Sequence, residues 1–372
     1  AEDGIRDRDV TGVQTCALPI YLGVMISASH NPMPDNGIKL FASSGGKLDD
    51  ALEAAIEQRM EEPWERPIGR NVGRAINDDS ALDRYVAFLL KSVSTKLTGI
   101  KVVVDCANGA ASKAAPIALA AAGAEVIAIA NQPDGWNIND GVGSTHLDLL
   151  RKHVIENKAD IGIAHDGDAD RCLAIAADGS EIDGDQILAI LTMGLKERNE
   201  LKSNTVVATV MSNLGFMKAM EEAGIKVIAT PVGDRYVLEK MLAENLTLGG
   251  EQSGHIINRQ FANTGDGILT ALQILQEMAR SKKSISELAS VMKRFPQVLI
   301  NVKDVAKENL ANSTVIVDGV KKAESELGTS GRVLLRASGT EKLVRVMVEA
   351  SSDNLALKIA EELATLVKAE LG

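Results

Sequence analysis

Short apolar runs alternate with longer amphipathic segments along the chain from Tyr21 onward. Runs rich in valine, isoleucine and alanine predict buried strands, whereas apolar residues at helical spacing predict helices. Strands are predicted at residues 22–28, 38–43, 100–105, 125–130, 161–164 and 206–210. Helices are predicted at residues 49–61, 79–92, 146–157, 264–281 and 284–293. This alternation is typical of α/β domains with mixed, mainly parallel sheets.

One unit of this pattern occurs twice. A strand, an asparagine-containing turn and an alanine-rich helix occupy residues 102–120. A second strand is followed by a Ser-Asn-Leu-Gly turn at 212–215 and by a helix that ends at Ala223. The similarity predicts repeated three-layer α/β domains.

The last part of the chain predicts a smaller α+β module that binds phosphate. It comprises predicted strands at 332–336 and 343–350, a helix near 313–327 and a terminal helix from Asp353. Pro296 marks the boundary before this module. The predicted segments are 1–20 (non-native), 21–93 (a partial domain I), 94–184 (domain II), 185–294 (domain III) and 295–372 (domain IV).

Composition and charge narrow the class of protein. The 372-residue chain is 45% apolar and carries a net charge of −11 with 3% aromatic residues, so it lacks the basic surface and stacking rings of nucleic-acid-binding proteins. No apolar run reaches the length of a membrane span. Cys16, Cys106 and Cys172 match no metal or disulfide spacing, which favours a reducing cytoplasm. We therefore expect neither nucleic acid nor a membrane as a partner.

Residues 1–20 follow neither a helical nor a strand period and run into the first predicted strand without a turn. They resemble the translation of a sequencing-library adapter. We therefore exclude them from the predictions on fold.

A candidate nucleophile stands where the first predicted strand ends. The strand runs into Ser29, His30, Asn31 and Pro32, and the proline prevents the strand from continuing. This arrangement presents the Ser29 hydroxyl on a loop. A Ser-His pair by itself also occurs in ordinary turns, so the other motifs must decide between the two interpretations.

Three carboxylates stand at alternate positions directly after the predicted strand 161–164. They are Asp166, Asp168 and Asp170, and Arg171 follows them. Their mutual repulsion is tolerated where a hard divalent cation neutralises it. A calcium-binding EF-hand is disfavoured because it needs glycine at position 171. The pattern predicts a magnesium site that accepts a phosphorylated partner, with a solvated acidic turn as the alternative.

Two further loops offer groups that suit a sugar phosphate. Residues 336–341 and Arg345 combine guanidinium groups with small hydroxyl residues, as a phosphate cradle does, although a polar hairpin turn has the same composition. Residues 250–255 pair a carboxylate with a hydroxyl, which suits sugar hydroxyl groups. Asp234 and Arg235 form another charged loop, for which a helix cap is the simpler interpretation.

Taken in chain order, four motifs resemble the signature loops of the α-D-phosphohexomutases. They are Ser-His-Asn-Pro, Asp-Gly-Asp-Ala-Asp-Arg, Gly-Glu-Gln-Ser-Gly-His and Arg-Ala-Ser-Gly-Thr-Glu. Residues 26–32, 232–236 and 250–255 are most similar to the bacterial phosphoglucosamine mutase branch. The resemblance implies a cytoplasmic isomerase that interconverts glucosamine 6-phosphate and glucosamine 1-phosphate through a phosphoserine and a bisphosphorylated sugar. Its product would supply UDP-N-acetylglucosamine and cell-wall precursor synthesis.

The resemblance also implies a role for each motif residue. Ser29 would carry the phosphoryl group, primed by a sugar bisphosphate or by phosphorylation. One Mg²⁺ would be held by Ser29, Asp166, Asp168 and Asp170. The catalytic residues would be Ser29, His30, Lys39 and Arg171. The substrate would be held by Asp234, Arg235, Glu251, Ser253, His255, Arg336, Ser338, Gly339, Thr340 and Arg345. The partner is a small sugar phosphate, and a homodimer is left open.

The chain departs from the family pattern in two places. Ala337 and Lys342 replace prolines that are usual in the phosphate loop, so we expect a looser loop with retained binding. The family's N-terminal Thr-Asp-Gly-Ile-Arg-Gly loop is absent, and the similar residues 3–6 lie too close to Ser29 to replace it. Because the predicted domain I is shorter than a typical domain, we expect this chain to be poorly stable and weakly active or inactive.

Three alternative functions are weighed against this one. A phosphomannomutase or phosphoglucomutase of the same superfamily would differ at the loops around Asp234 and Glu251. An inactive truncated fragment would only bind sugar phosphate, but a pure binding protein needs neither Ser29 nor three metal-binding aspartates. A metal-dependent phosphatase is disfavoured because it uses a metal-bound water rather than a serine.

Overall fold

A computed structural model describes residues 21–43, 45–338 and 341–372 of the chain. The described residues form two compact units. One comprises the described residues up to Val210 together with Lys226–Val291, and the other comprises Met211–Ile225 and Met292–Gly372. The predicted adapter-like segment 1–20 lies outside the described residues. The four predicted domain boundaries stay a prediction.

The first unit begins with an antiparallel hairpin. Its elements are β1 (Leu22–Ser27), β2 (Gly37–Ala42), α1 (Asp50–Met60) and α2 (Ala81–Leu90). Ile26 lies opposite Ile38, and both residues are 69% exposed. Ser27 lies opposite Gly37, so the pairing closes at the start of the turn that carries Ser29. The hairpin thus places the candidate nucleophile at the end of a paired strand.

A five-stranded sheet follows, covered by helices. Its elements are β3 (Lys101–Asp105), α3 (Ala111–Ala121), β4 (Glu125–Ile129), α4 (Asp148–Glu156), β5 (Ile161–Ala164), β6 (Leu173–Ala176), β7 (Glu181–Ile182) and α5 (Gly184–Glu197). The strand order is β4-β3-β5-β6-β7, with β3 parallel to β4 and β5. Leu150 and Val154 of α4 pack on Val103 of β3 and Ile175 of β6 in a fully buried cluster. Burial of these apolar side chains holds the acidic loop after β5 on a rigid base.

A second sheet repeats this arrangement. Its elements and the neighbouring helices are β8 (Thr205–Thr209), α6 (Leu214–Glu222, in the second unit), β9 (Lys226–Thr230), α7 (Asp234–Ala243), β10 (Leu248–Gly250), β11 (Ile256–Asn258), α8 (Gly267–Ser281) and α9 (Ile285–Ala289). The strand order is β11-β10-β8-β9, and β8 is parallel to both of its neighbours. In both sheets the strand beyond the parallel three, β6 or β11, is antiparallel. The predicted repeat of α/β topology is confirmed.

The second unit contains an antiparallel three-stranded sheet. Its elements are β12 (Gln297–Lys303), α10 (Thr314–Leu327), β13 (Arg332–Ala337), β14 (Leu343–Glu349) and α11 (Asp353–Leu371). The strand order is β12-β14-β13, and Val346 and Val348 of β14 pack with Ile359 and Leu363 of α11. The buried Glu349 carboxylate accepts hydrogen bonds from Leu214 N (2.8 Å) and Arg332 Nε (2.7 Å). The predicted α+β module is confirmed.

Two predicted helices differ from the observed ones at their ends. The helix predicted from residue 264 begins at Gly267, because the Asp266 carboxylate caps it by accepting from Leu269 N (2.9 Å). The helix predicted to reach residue 293 ends at Ala289. In the described part of the chain we find no helix whose length and apolar content would let it cross a membrane.

A buried carboxylate ties α8 to the end of α5. Glu277 is 3% exposed and accepts from Arg280 Nη2 (2.7 Å) and from Arg198 Nη1. Two guanidinium groups therefore compensate one desolvated charge. Each arginine also pairs with a more exposed glutamate, Arg198 with Glu200 (2.8 Å) and Arg280 with Glu197 (2.8 Å).

We predict that Glu277→Ala lowers the free energy of unfolding by about 2 kcal/mol, because both arginines lose a charge-assisted hydrogen bond while each keeps its second glutamate. Urea denaturation measures this change. Glu156→Ala is the control, since Glu156 makes an exposed pair with Lys152 (3.9 Å) in the same unit, and its loss should stay below about 1 kcal/mol. Equal losses in the two variants would contradict the prediction.

Another buried contact joins α2 to the cap of α8. The Tyr85 hydroxyl donates to Asp266 Oδ2 (2.9 Å), while Asp266 Oδ1 caps the helix. Burial raises the pKa of Asp266, and the hydrogen bond from Tyr85 opposes this by favouring the carboxylate. The hydrogen bond from Tyr85 therefore stabilises the folded chain most when Asp266 is ionised.

We predict that Tyr85→Phe lowers the free energy of unfolding by about 1–2 kcal/mol at pH 8, because the buried carboxylate loses a donor. The loss should shrink at pH 5, since the hydroxyl favours only the ionised carboxylate and the raised pKa brings protonation closer to that pH. Urea denaturation at the two pH values measures it. Tyr236→Phe is the control, because Tyr236 is 47% exposed. A loss of equal size at both pH values would refute the role of ionisation.

Candidate functional site

The turn after β1 holds Ser29 in an unusual backbone conformation. Its φ is 52°, in the left-handed region that residues with a side chain seldom adopt. The turn is closed by Asn31 N, which donates to Ala28 O (2.9 Å), and Ser29 N donates to Ser27 Oγ (2.9 Å). Ser29 Oγ lies 3.3 Å from His30 Nδ1. A strained residue that carries a hydroxyl on a loop indicates a functional position.

Backbone and side-chain hydrogen bonds join this turn to the acidic loop. Gly167 N donates to Ser29 O (2.9 Å), and Asn139 Nδ2 donates to Ser29 O (2.7 Å) and to Asn31 O (2.8 Å). A Cβ atom on Gly167 would lie 2.5 Å from Ser29 O, so only glycine allows this approach. The structure therefore brings the candidate nucleophile next to the candidate metal loop.

The three aspartates among the four predicted metal ligands converge. Asp166, Asp168 and Asp170 each offer one carboxylate oxygen, and these oxygens lie within 4.8 Å of one another. Asp166 Oδ2, Asp168 Oδ1 and Asp170 Oδ1 are buried and have no hydrogen-bond partner among the described residues. Burial and the two neighbouring carboxylates raise the pKa of Asp166. Three clustered aspartates, each with a buried carboxylate oxygen that no described donor satisfies, fit a hard divalent cation such as Mg²⁺.

Lys39 approaches this cluster from β2. Its ammonium group donates to Asp168 and lies 3.8 Å from Asp170 Oδ2. Although burial acts in the opposite direction, the carboxylate of Asp168 raises the pKa of Lys39. Burial by itself would raise the pKa of Asp168. The hydrogen bond with Asp166 and the neighbouring Lys39 ammonium outweigh burial and lower the pKa. The ammonium thus offsets part of the negative charge of the loop.

Arg171 and His30 complete the predicted catalytic set. Arg171 Nε lies 4.0 Å from Asp170 Oδ1, and Arg171 N donates to Asp166 Oδ1 (3.1 Å). Burial and, next, the Arg171 guanidinium lower the pKa of His30, so the imidazole is neutral at pH 7. The predicted residues of this part of the site therefore lie together.

The predicted sugar loop is attached to the metal loop. Cys172 N donates to Gly254 O (3.0 Å), and His255 Nε2 lies 3.8 Å from Asp170 Oδ2 and 3.8 Å from Asp234 Oδ2. Glu251 Oε1 accepts from Gly233 N (2.9 Å). His255 therefore lies between the acidic loop and the start of α7.

The two charged residues at the start of α7 have different partners. The Asp234 carboxylate binds Lys47 Nζ (2.5 Å), whereas Arg235 Nε pairs with Glu239 (2.8 Å) along the helix. Ser253 Oγ is buried and has no hydrogen-bond partner in the described parts of the chain. A pocket of about 280 Å³ is lined by residues that include Lys39, Lys47, Asp168, Asp234 and His255. The structure thus gathers Asp234 and His255 at a pocket, while Arg235 engages its own helix.

The predicted phosphate loop lies in the second unit. Arg336 on β13 is directly opposite Arg345 on β14, and the Nε atoms of both are buried without a partner among the residues described. Like charges in opposite positions of adjacent strands repel each other unless an anion neutralises them. Ser338 Oγ accepts from Glu341 N (3.2 Å), and Ser338 O accepts from Lys307 Nζ (2.5 Å). The predicted binding residues Gly339 and Thr340 lie outside the described residues.

Sequence reasoning missed three residues near these loops. They are Asn139, which binds the Ser29 turn, Lys47, which binds Asp234, and Lys307, which binds the phosphate loop. Asn139 and Lys307 bind backbone carbonyls of segments far away in the chain, and such contacts leave no local sequence pattern. The Lys47–Asp234 pair joins residues 187 positions apart, which is equally invisible in the sequence.

Family models match four consecutive parts of the chain. They are described as phosphoglucomutase/phosphomannomutase alpha/beta/alpha domain I (residues 9–66), domain II (83–179), domain III (183–295) and the C-terminal domain (276–366). Together they match more than half of the chain. The order of the matches agrees with the order of the four sequence motifs.

Two relatives with high sequence identity to this chain are named phosphoglucosamine mutase. The chain is 57% identical to phosphoglucosamine mutase of Corynebacterium jeikeium over 376 residues, covering 99% of this chain and 84% of that protein. It is 55% identical to phosphoglucosamine mutase of Thermobifida fusca over 368 residues, covering 99% and 82%.

Two solved structures share the fold at low sequence identity. One is a phosphoglucomutase/phosphomannomutase family protein of Burkholderia thailandensis (TM-score 0.74, 23% identity, covering 94% of this chain and 76% of that chain). The other is an Aspergillus fumigatus N-acetylphosphoglucosamine mutase in complex with GlcNAc-6P and magnesium (TM-score 0.70, 17% identity, covering 95% and 89%). With these relatives and the geometry of the serine turn and acidic loop, the chain belongs to the phosphoglucosamine mutases, isomerases of the phosphohexomutase superfamily.

Proposed function

We propose that this chain interconverts glucosamine 6-phosphate and glucosamine 1-phosphate, with Ser29 as the carrier of the phosphoryl group. The observation that carries the proposal is the hydrogen bond from Gly167 N to Ser29 O, which seats the serine turn on the loop of the three aspartates. The name shared by relatives at 54–57% identity supports the amino sugar as substrate. The proposed reaction is a transfer from phosphorylated Ser29 to the free hydroxyl, followed by return of the other phosphate.

Asp166, Asp168 and Asp170 would hold one Mg²⁺ together with an oxygen of the phosphorylated Ser29. Their convergent carboxylate oxygens without donors support this assignment. When bound, the ion offsets negative charge on the transferring phosphoryl group, the main requirement of a loose phosphoryl transition state.

The cationic side chains around the acidic loop would also offset negative charge on the transferring phosphoryl group. Lys39 is free to exchange its contact with Asp168 for an oxygen of the phosphoryl group, because it is a flexible point charge. Arg171 would bind the phosphoryl oxygens with its planar donors. His30, adjacent to Ser29 and neutral at pH 7, would accept or donate the proton at the reacting oxygen.

The sugar would be recognised by Glu251, Ser253, His255 and Asp234. The buried Ser253 hydroxyl supports this, because no described residue satisfies it. Asp234 would share its carboxylate between Lys47 and the substrate ammonium. Arg336, Ser338 and Arg345 would hold the non-reacting phosphate, since two opposed guanidinium groups favour an anion between them.

The first test compares kcat/KM for glucosamine 6-phosphate, glucose 6-phosphate and mannose 6-phosphate, with Mg²⁺ and a sugar bisphosphate primer. We expect a preference of at least about tenfold for the amino sugar, because each tenfold step needs only about 1.4 kcal/mol of extra transition-state binding. Intact mass should also show one added phosphoryl group after priming. Ser29→Ala should abolish that mass gain, whereas Ser27→Ala should retain it.

The outcomes separate the alternatives. Preference for mannose or glucose phosphate would retain the serine chemistry and refute the amino-sugar assignment. A mass gain that persists in Ser29→Ala would refute Ser29 as the carrier.

We further predict that millimolar Mg²⁺ raises the melting temperature of the chain by about 2 °C or more, because the ion binds only the folded acidic loop. Differential scanning fluorimetry with and without Mg²⁺ measures the shift. Asp168→Asn should abolish it. Asp148→Asn is matched in charge, and the side chain of Asp148 is 99% exposed on α4, so this variant should retain the full shift. A full shift in Asp168→Asn would rule out the site.

A further inference from the structure

We infer that Asn139 is a positioning residue that clamps the Ser29 turn onto the acidic loop. The inference rests on the proposed role of Ser29 as the phosphoryl carrier. Asn139 is separated from Ser29 by 110 positions, and its amide nitrogen donates to Ser29 O (2.7 Å) and Asn31 O (2.8 Å). These two carbonyls flank His30. One side chain therefore holds both sides of the turn that carries the nucleophile and its neighbouring imidazole.

The orientation of the Asn139 amide is determined by its partners. Both partners are carbonyl oxygens, which only accept hydrogen bonds, so the NH₂ group must face them. The reverse orientation would place Asn139 Oδ1 against two other oxygens. As placed, Oδ1 is buried and has no hydrogen-bond partner among the described residues. A native protein retains such an unsatisfied group where the arrangement serves another requirement.

Asn139 is itself fixed to the five-stranded sheet. It is 5% exposed, and its backbone N donates to Ala107 O (3.0 Å) just after β3. The same loop is bound by the buried Asp105, whose Oδ2 accepts from Gly143 N (2.9 Å), and by Ser144 N, which donates to His165 O (2.8 Å). The clamp therefore fixes the position of the Ser29 turn relative to the strand ends that also carry Asp166.

The clamp opposes a conformational preference of Ser29. A non-glycine residue at φ 52° costs on the order of 1 kcal/mol or more relative to ordinary backbone regions. Two buried hydrogen bonds to the turn offset that cost. Without them Ser29 would relax toward other backbone angles, and its hydroxyl would lose its defined position. A displacement of about 1 Å at the reacting group costs about 100-fold in rate.

Among the described residues Asn139 makes no hydrogen bond to the proposed sugar-binding groups of its unit, so its loss should affect kcat and leave KM nearly unchanged. Loss of a merely structural residue would reduce the amount of folded protein and would not loosen the turn selectively. The exchange rates of two amide protons report on the clamp directly. Asn31 N–H is bonded to Ala28 O, and Gly167 N–H is bonded to Ser29 O.

The experiment compares Asn139→Gly with Asn108→Gly in the full chain. Both asparagines have positive φ (56° and 49°), so glycine preserves the backbone at each. Asn108 also makes two hydrogen bonds to a neighbouring loop, accepting from Gln132 N (3.1 Å) and donating to Asn137 O (3.3 Å), but it does not bind the Ser29 turn. The control therefore removes the same chemical group from the same region.

We expect Asn139→Gly to accelerate hydrogen–deuterium exchange at Asn31 and Gly167 by at least about tenfold, and to lower kcat by about 10- to 100-fold with KM changed by less than about threefold. Asn108→Gly should show neither effect. Unchanged exchange in Asn139→Gly would overturn the clamp. Faster exchange with unchanged kcat, or equal losses in the two variants, would overturn its role in positioning.

The two proposals fail in different ways. If the unsubstituted chain prefers glucose 6-phosphate or mannose 6-phosphate to glucosamine 6-phosphate, the proposed substrate is refuted. The exchange measurement and the rate of Ser29 phosphorylation by the bisphosphate primer then still decide the clamp, because both are compared between the two chains and neither requires turnover of glucosamine 6-phosphate. A phosphorylation rate that is the same in Asn139→Gly and the unsubstituted chain would overturn the positioning role.

Discussion

The repulsion among three carboxylates on one short loop is the constraint around which the first unit is organised. Asp166, Asp168 and Asp170 bring their oxygens within 4.8 Å of one another at the end of β5. Water is partly excluded there, so the repulsion is stronger than at an exposed surface. Lys39 from the hairpin offsets part of it, and the orphaned oxygens leave room for a cation. Positively charged groups from separate parts of the chain therefore stabilise the loop.

Rigid supports keep the loop in this costly arrangement. Gly267 N, at the start of α8, donates to Ala169 O (2.8 Å), and a Cβ atom on Gly267 would lie 2.1 Å from Arg171 O. Tyr85 and the cap Asp266 fix the same helix end. The sugar loop is bonded to the metal loop through Cys172 and Gly254. A change in any one of these supports would shift the carboxylates together with the groups that face them.

In the second unit, positively charged side chains lie close together and repel one another. Arg336 and Arg345 stand opposite each other on adjacent strands, and Lys307 brings a third cation to the carbonyls of the loop. Three cations around one turn favour a bound anion. Arg345 Nη2 also lies 3.4 Å from Glu341 Oε2, so a carboxylate of the loop itself offsets part of this positive charge.

Local patterns in the amino-acid sequence were enough to predict the helices and strands and the chemistry of each loop. The apolar periods predicted the strands, the repeat and the α+β module, and the spacing of Asp166, Asp168 and Asp170 predicted the metal cluster, because these signals are local. Helix ends were less well predicted, since the cap by Asp266 depends on its side chain rather than on periodicity. The contacts of Asn139 with the serine turn and of Lys47 with Asp234 became visible only in the folded chain. Such contacts join residues more than a hundred positions apart, and their geometry exists only after the sheets and helices have packed.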